Sequence, residues 1–510
     1  MFQKQTLSKC CLKIIIYCDT LSVLKYLEFE SKIISLKQIT TRKKMKNLRN
    51  FFAAFAVAVL NIGISFAQLQ MPAVFTDGMV LQQNSNVRIW GWGSASETVT
   101  VSPKWEGAQA VKTKVDSNGK WSTEISTPSA GGPYSIDITN GRETITLSDV
   151  LLGEVWLCSG QSNMEWSVNH GIMNGDKEAA NAACATLRIF HMPKQGADSP
   201  QDDCRTKWEK SSPESMRRTS ATAYFFGRML TEKLNVPVGI MVAAWGGTPA
   251  EVWTPAEEVK NDPVLSNCKL SPAAWWPITP GVLYNQMIHP MIPYEIAGCI
   301  WYQGESNHEN ASSYERLMTK LVNSWRKDFE KDFPFYYVQI APHTYNSKKN
   351  TPAQLREQQM LMAEHVDNCA MINISDLVEN VKDIHPRNKR AIGERLAKLA
   401  LDKTYGKYAG AYESPKLKEA VRSGKKITLS FDGNFEKLTF TSKEITGFAV
   451  VDADGKQIPA KAKIKGREII ISTGSAEAPV QILYCFDDAT IGSLRTDAGL
   501  PVLPFRTKIK

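Results

Sequence analysis

The sequence predicts an α/β protein with a central, mostly parallel sheet and helices, flanked by N-terminal and C-terminal antiparallel β-domains. Three observations support this fold class. Residues 68–148 show short alternating strands and turns without a helical period, and the same texture returns over residues 405–510. Between them, residues 149–404 alternate strand-like and helical stretches, which is typical of a parallel sheet with crossover helices.

The N-terminal β-domain is predicted from alternating segments at residues 87–92, 98–101 and 134–138, with a hairpin-type turn at Asn118-Gly119. A sandwich is the expected arrangement. Its tryptophans favour core packing, and a sugar-stacking platform is the alternative. The C-terminal β-domain is predicted from strand-like segments such as residues 426–431 and 480–484.

Three strand-like segments of the central region each end in a polar turn. Val155-Trp156-Leu157 suits a buried strand that runs into Gly160-Gln161-Ser162-Asn163, residues 237–242 run towards Gly246-Gly247, and residues 297–302 run into Gln303-Gly304-Glu305-Ser306-Asn307. The carboxyl ends of parallel strands meet at one edge of a sheet, where open α/β sheets bind ligands. The three turns are therefore expected to lie side by side at a functional site.

The basic charge of the chain is concentrated near its start. The 510 residues carry a formal charge of +9, but residues 1–67 hold 11 Lys and Arg against 3 Asp and Glu, so the remainder is nearly neutral. The 43% hydrophobic and 22% charged content is ordinary for a globular protein. Charge gives no reason to expect binding to nucleic acid or to a membrane surface.

Residues 45–67 have the form of a secretory signal peptide. Lys46 and Arg49 precede an apolar run over residues 51–60, and Ser65-Phe66-Ala67 is a small-x-small cleavage pattern. The run is too short for a membrane span. We expect an exported protein, periplasmic or extracellular, whose mature chain begins near Gln68, and we interpret residues 1–44 as a non-native upstream extension of the reading frame.

The cysteines do not indicate a disulfide scaffold. Seven lie beyond residue 67, an odd number for a chain of this length. A bridge between Cys184 and Cys204 is the one pairing that their polar surroundings suggest. No Cys or His spacing resembles a zinc site.

Ser162 is the candidate nucleophile, because a serine on a tight turn after a strand is exposed at the sheet edge. The alternative is that Ser162 caps the next helix. A serine nucleophile needs a base, and His385 is the histidine whose place suits that role. It follows the last strand-like segment, precedes Pro386 and opens a helix on the same edge as Ser162.

The chain resembles the sialate O-acetylesterases of the SGNH hydrolase superfamily over nearly all of residues 68–510. Four motifs in order carry the resemblance: residues 153–165 (GEVWLCSGQSNME), 245–253 (WGGTPAEVW), 301–307 (WYQGESN) and 383–389 (DIHPRNK). The resemblance implies an SGNH-hydrolase-type central sheet. It also implies ester hydrolysis through an acetyl-enzyme, with no metal or cofactor.

The resemblance implies roles for individual residues. Ser162 matches the nucleophile and His385 the general base that later protonates the leaving sugar oxygen. The backbone N–H of Ser162, one from the Gly246-Gly247 turn and a side chain from the third motif would form the oxyanion hole. Gln303 is the first choice for that side chain and Asn307 the second. The remaining site residues implied to contact or orient the substrate are Glu305, Gln161 and Asn163.

The acid that orients His385 departs from the superfamily pattern. An aspartate commonly lies three residues before the histidine, where this chain has Lys382, and Asp383 lies two before it. Side chains two apart point the same way in an extended segment, so Asp383 is the first candidate. Asp376 and Glu305 are rivals, and a backbone carbonyl serving a Ser–His dyad is a further alternative.

The resemblance implies an O-acetylated sialic acid or sialoglycan as substrate, with acetate and the free sugar hydroxyl as products. One alternative is an acetylesterase for another acetylated glycan, such as xylan or pectin. A second is a secreted carbohydrate-binding protein that has lost catalysis. A lipase is a weaker alternative, because no long apolar lid-like segment lies near the motifs.

Overall fold

The computed structural model describes residues 68–473 and 479–510. The predicted upstream extension and signal peptide lie outside these residues. In the described part of the chain, no helix combines the length and the apolar character needed to cross a membrane.

The N-terminal region is built from strands that pair antiparallel, except β1, which pairs in parallel with β7. Strand β2 pairs with β5, while β3 joins β4 to β6 and β6 pairs with β7. In β2, Val87 and Ile89 are buried and Arg88 between them is partly exposed, as expected for a strand with one face on the core. The strands are β1 (Val80–Gln82), β2 (Ser85–Trp92), β3 (Thr98–Pro103), β4 (Val111–Lys114), β5 (Lys120–Thr127), β6 (Gly131–Thr139) and β7 (Thr144–Gly160).

The central sheet has the order β13-β12-β11-β7-β10-β8-β9. Its neighbours pair in parallel except β8 with β9, which are antiparallel. The predicted α/β class, with a mostly parallel sheet, is confirmed. The further strands are β8 (Cys184–His191), β9 (Trp208–Ser211), β10 (Val238–Ala244), β11 (Gly298–Tyr302), β12 (Phe335–Val338) and β13 (Cys369–Ile372).

Helices cover both faces of this sheet. They are α1 (Ser162–Glu165), α2 (Gly175–Ala180), α3 (Pro213–Arg218), α4 (Ala221–Leu234), α5 (Ala256–Lys260), α6 (Tyr314–Asp328), α7 (Thr351–His365) and α8 (Lys389–Lys403). Segments of 3₁₀ helix lie at Val168–His170, Ala250–Trp253, Leu265–Asn267, His289–Met291, Glu305–Ser313 and Ser375–Leu377, with a π-helical turn at Tyr284–Ile288. Helices α4 and α8 pack on one face, and α6 packs on the other.

Successive residues of β7 point into the two cores. Leu157 joins the core that contains residues of α6, whereas Trp156 and Cys158 join the core beneath α4 and α8. All three side chains are almost fully buried. A strand that is covered on both faces has a continuous apolar sequence, and Val155-Trp156-Leu157 predicted a buried strand for this reason.

The C-terminal region forms small antiparallel sheets around its own core. Their orders are β14-β15-β20-β19, β18-β17-β21-β23 and β16-β22. The strands are β14 (Lys416–Ser423), β15 (Lys426–Asp432), β16 (Leu438–Phe440), β17 (Phe448–Val451), β18 (Gln457–Ile458), β19 (Ala460–Lys465), β20 (Glu468–Thr473), β21 (Gln481–Tyr484), β22 (Leu494–Thr496) and β23 (Phe505–Lys508). These strands agree with the predicted flanking antiparallel β-structure.

Strand β7 belongs to two sheets. Its first half pairs with β6, and its second half pairs with β10 and β11 in the central sheet. The boundary predicted between residues 148 and 149 falls inside this strand, and the domain limits stay predictions.

The seven cysteines of the described residues are all free thiols, so Cys184 and Cys204 form no bridge. Cys184 instead lies 3.5 Å, sulfur to oxygen, from the hydroxyl of Thr186. Cys204 is largely buried, and burial raises the pKa of its thiol to about 12.

Candidate active site

Three strands of the central sheet end level with one another. Gly160 at the end of β7 is in register with Ala244 of β10 on one side and Tyr302 of β11 on the other. The polar turns that follow these strands are therefore neighbours, as their positions after the strands predicted. They form the floor of the candidate site.

Ser162 is the first residue of α1 and follows a turn that only glycine fits. Gly160 has φ +140°, and a Cβ there would lie 2.2 Å from the carbonyl oxygen of Tyr302. The residue in the N-cap position is Gln161, and the helix end has no side-chain cap. The Ser162 hydroxyl is therefore free for another partner, which the capping alternative would not allow.

That partner is His385, whose Nε2 lies 3.0 Å from Ser162 Oγ. The imidazole stacks on the indole of Trp166, with ring centroids 4.2 Å apart. Its own backbone N–H donates to Asp383 Oδ1 at 3.0 Å, and Asn163 Nδ2 donates to the neighbouring carbonyl of Ile384 at 3.1 Å. The loop before α8 is thus fixed against the turn that carries the serine.

The environment of His385 favours the neutral imidazole. Burial lowers the pKa of His385 to about 4, assisted by the positive charge of Lys389 and opposed by the negative charge of Asp383. A neutral imidazole can accept a proton from a hydroxyl group. At neutral pH the histidine is therefore in the form that a general base requires.

Of the three acids considered for orienting His385, Asp383 lies beside the ring. Its Oδ1 is 3.8 Å from His385 Nδ1, which is longer than a hydrogen bond. Asp376 instead binds Arg395 through two contacts of 2.8 Å. Glu305 is bound to Asn163, so the structure brings neither rival to the imidazole.

A buried polar network lies directly beneath the serine. Asn163 Nδ2 donates to Glu305 Oε1 at 2.6 Å, and Lys389 Nζ donates to Asn163 Oδ1 at 2.6 Å. Burial raises the pKa of Glu305 and lowers the pKa of Lys389 to about 7. Asn163 and Glu305, both expected at the site, therefore support it from below, and Lys389 joins them.

The side chain of Gln161 connects the first and third turns. Its Oε1 accepts from the backbone N–H groups of Gly304 at 3.2 Å and Ser306 at 3.3 Å. The residue is almost fully buried. Gln161 therefore holds the turn after β11 in register with the serine turn.

The second turn lies against the serine. A Cβ on Gly246 would be 3.2 Å from Ser162 Cβ, and Gly246 N–H donates to Glu165 Oε2 at 2.5 Å. Among the described residues, the N–H groups of Ser162 and Gly247 have no hydrogen-bond partner. The Gly246 donor is thus occupied, which leaves Gly247 N–H as the donor that this turn can offer.

Gln303 and Asn307, the two side chains expected as the further oxyanion donor, lie inside the protein. Gln303 Nε2 donates to Asn307 Oδ1 at 2.7 Å and to the carbonyl of Thr248 at 3.2 Å. Asn307 Nδ2 donates to Glu251 Oε2 at 2.8 Å. Both amides are committed to internal bonds, and the structure does not bring them to the cleft.

Ser162 and His385 line an open cleft of about 580 Å³. Its rim is aromatic, with one ion pair between Lys194 Nζ and Glu165 Oε1 at 2.7 Å. The cleft is bordered by Gln161, Ser162, Glu165, Trp166, Lys194, Trp245, Gly246, Gly247, Trp275, Trp276, Glu305, Ser306, His308, Tyr345, Ile384 and His385.

Sequence reasoning missed three residues that shape the site: Glu165, Trp166 and Lys389. Two of them lie within the matching motifs, at the end of residues 153–165 and of residues 383–389, and Trp166 directly follows the first motif. Their presence in or beside these motifs is the signal that could have marked them. Their contacts depend on packing between elements distant in sequence, which the pattern does not specify.

Comparisons with known proteins identify a carbohydrate esterase. A family model described as carbohydrate esterase, sialic acid-specific acetylesterase, matches residues 152–402. The human sialate O-acetylesterase is 31% identical over 393 residues, covering 69% of this chain and 73% of the human protein. The rat sialate O-acetylesterase is 29% identical, covering 78% and 85% respectively.

Among solved structures, a carbohydrate acetylesterase from Xanthomonas citri superposes with a TM-score of 0.78 and 32% sequence identity. The match covers 86% of this chain and 99% of that one. The likeness thus extends beyond the central sheet to most of the described chain.

Proposed function

Because the chain belongs to the sialate O-acetylesterase family and is a carbohydrate esterase, we propose that it removes O-acetyl groups from sialic acids through Ser162 and His385. The observation that carries the proposal is the 3.0 Å contact between Ser162 Oγ and His385 Nε2 within an open cleft. Nucleophile and base lie within hydrogen-bond reach, as serine catalysis requires.

In the first half of the proposed reaction, Ser162 Oγ attacks the acetyl carbonyl carbon while His385 Nε2 accepts the hydroxyl proton. The tetrahedral intermediate then collapses, the ester C–O bond breaks, and the imidazolium gives its proton to the sugar oxygen. The acetyl group remains on Ser162 Oγ and the deacetylated sugar leaves.

In the second half, a water molecule attacks the acetyl-enzyme and His385 again accepts a proton. Collapse of this intermediate breaks the bond to Ser162 Oγ, which recovers the proton from the imidazolium, and acetic acid leaves and gives up its proton to water as acetate. The N–H groups of Ser162 and Gly247 are the proposed donors to the oxyanion in both halves. Gln303 and Asn307 instead stabilise the conformation of the turn after β11 through their buried hydrogen bonds.

We propose that Asp383 is the acid that orients and stabilises the imidazolium of His385. Its Oδ1 lies 3.8 Å from Nδ1, closer than any other carboxylate considered. A small closure of this gap on substrate binding would complete a Ser-His-Asp triad, since catalytic hydrogen bonds are often long in ligand-free proteins.

The decisive experiment replaces the nucleophile. We expect Ser162→Ala to lower kcat for 4-nitrophenyl acetate by about 10⁴-fold or more. Ser129→Ala, an exposed serine of the N-terminal region, is the matched control and should retain full activity. An active Ser162→Ala protein would contradict the mechanism, and an unmodified protein without serine-dependent hydrolysis would favour a non-catalytic carbohydrate-binding protein.

A second candidate substrate is an acetylated neutral glycan such as xylan. The observation that favours it is the similarity to the Xanthomonas citri protein, whose description names a carbohydrate acetylesterase without specifying sialic acid. Acetate release from 9-O-acetyl sialic acid and from acetylated xylan separates the two. We expect the higher kcat/KM on the sialic acid ester.

We also propose that the protein acts after export, in the periplasm or outside the cell. The support is the signal-peptide form of residues 45–67. N-terminal sequencing of the exported protein should find a mature chain that begins near Gln68. A mature protein that retains residues 1–44 would contradict both the export signal and the interpretation of that segment.

A further inference from the structure

Trp275 exposes an unusually large apolar surface for its position. Its side chain is 72% exposed, although it borders the cleft that contains Ser162 and His385. A buried aromatic side chain typically removes about 150–250 Å² of its surface from water, so the exposed indole of Trp275 leaves a large apolar surface available for binding. The proposed reaction assigns no role to it.

The loop that carries Trp275 is attached to the site at several points. Trp245 Nε1 donates to the carbonyl of Trp275 at 3.1 Å, and Asn310 Nδ2 donates to the carbonyl of Lys269 at 2.8 Å. These bonds connect the loop to the strand end before Gly246 and to the 3₁₀ turn after Glu305. The indole is therefore held in a defined relation to the candidate oxyanion donors.

The neighbouring Trp276 packs on the second turn. Gly247 has φ +80°, and a Cβ there would lie 2.3 Å from Trp276 Cε3. The two indoles meet edge to face, with ring centroids 5.3 Å apart and planes 80° apart. Trp276 thus fills the space beside the turn, and Trp275 remains free to contact a ligand.

Lys194 in the cleft pairs with Glu165 at 2.7 Å, and Glu305 Oε1 accepts from Asn163 at 2.6 Å, whereas Glu305 Oε2 is buried without a hydrogen-bond partner among the described residues. Of the large apolar side chains that border the cleft, Trp275 is the one that is exposed. A pyranose ring has an apolar face of C–H groups, and the electron-rich face of an indole complements such weakly positive hydrogens.

We propose that Trp275 forms a sugar-binding subsite that stacks on a pyranose ring of the acetylated substrate. This subsite rests on the proposed function, because it recognises the sugar from which Ser162 removes acetyl groups. It acts on binding of the carbohydrate and has no part in the proton transfers. A small aliphatic ester, which has no ring to stack on the indole, gains nothing from it.

The experiment compares two esters in one protein. The glycan ester is whichever of 9-O-acetylated sialyllactose and acetylated xylan the unmodified protein hydrolyses, and the reference is ethyl acetate, which has no ring that could stack on the indole. We expect Trp275→Ala to lower the ratio of kcat/KM for the glycan ester to that for the reference by about tenfold, mainly through KM. Trp275→Tyr should restore most of the ratio, because it keeps an aromatic face.

Phe440→Ala is the matched control, because Phe440 is an exposed aromatic residue of the C-terminal region, 48% exposed and outside the cleft. It should leave the ratio unchanged. An unchanged ratio in Trp275→Ala, or an equal loss on both esters, overturns the subsite. Failure of the proposed function has a different signature, since Ser162→Ala would then retain hydrolysis of both esters.

Discussion

The imidazole of His385 lies against the indole of Trp166, with ring centroids 4.2 Å and planes 19° apart. The indole covers one face of the base and keeps water from it. It also fixes the plane of the ring, which directs Nε2 to Ser162 Oγ at 3.0 Å. The contact therefore orients the proposed base and contributes to the burial that lowers the pKa of His385.

Removal of this contact should shift the pH dependence of hydrolysis. With His385 as base, kcat/KM for 4-nitrophenyl acetate should be lost as pH falls through about 4, because the protonated imidazole cannot accept the serine proton. In Trp166→Ala, water reaches the ring and stabilises the imidazolium. The pKa of His385 should therefore rise towards about 6.5, its ordinary value.

The measurement is the acid limb of the kcat/KM profile for the two proteins. The limb of Trp166→Ala should lie at higher pH than that of the unmodified protein. Coincident limbs in two folded proteins would mean that Trp166 does not control the proton affinity of His385.

Asp383→Asn tests the proposed triad. The asparagine oxygen can still accept from the backbone N–H of His385, so the loop should keep its geometry. The negative charge that stabilises the imidazolium is lost, and we expect kcat to fall by roughly 10²–10⁴-fold. The measurement is the rate of single-turnover hydrolysis of 4-nitrophenyl acetate, and a thermal unfolding curve checks that the variant is folded.

Asp376→Asn serves as the comparison, since Asp376 is bound to Arg395 and does not contact His385. It should affect stability more than the chemical step. A loss of less than tenfold in Asp383→Asn would favour a Ser–His dyad over the triad.

Gly246→Ala tests the approach of the second turn to Ser162, the proposed nucleophile. The new Cβ would lie 3.2 Å from Ser162 Cβ and 3.0 Å from Glu165 Oε2, where neighbouring atoms must shift. A displacement of about 1 Å near the reacting atoms can cost about 10²-fold in rate. We therefore expect a loss of that order in kcat/KM for 4-nitrophenyl acetate.

Gly196→Ala is the matched control, because its nearest contact would be an ordinary 3.6 Å to Val282. It should keep normal activity. Equal activity of the two variants would show that the turn tolerates a side chain and that its closeness to Ser162 is not required.

The sequence predicted the strands and turns better than the directions of individual side chains. The apolar run before Gly160 and the polar residues after it located Ser162 at a strand end, because burial on both faces of a sheet leaves a clear pattern. His385 was found from its place before a helix. These predictions depend only on which residues are neighbours along the chain, and the sequence gives that information directly.

The internal positions of Gln303 and Asn307 could not be inferred in the same way. Both follow β11, and a polar residue at a strand end can face either the cleft or the interior. Gly304 has φ +149°, and the chain then enters the 3₁₀ turn Glu305–Ser313, which turns Asn307 inwards. The buried position of Lys389 could not be predicted for a related reason, because a lysine in a sequence normally indicates a solvent-exposed side chain.

Strand β7 covers 17 residues from the N-terminal sheet to Gly160, with an irregularity at Asp149, whose φ is +55°. Its first half, which pairs with β6, continues directly into the half that ends at the serine turn. The N-terminal region is therefore not a detachable module. Shortening the protein to its central sheet would remove the first half of the strand that leads to Ser162, so we expect the shortened protein not to fold as the full chain does.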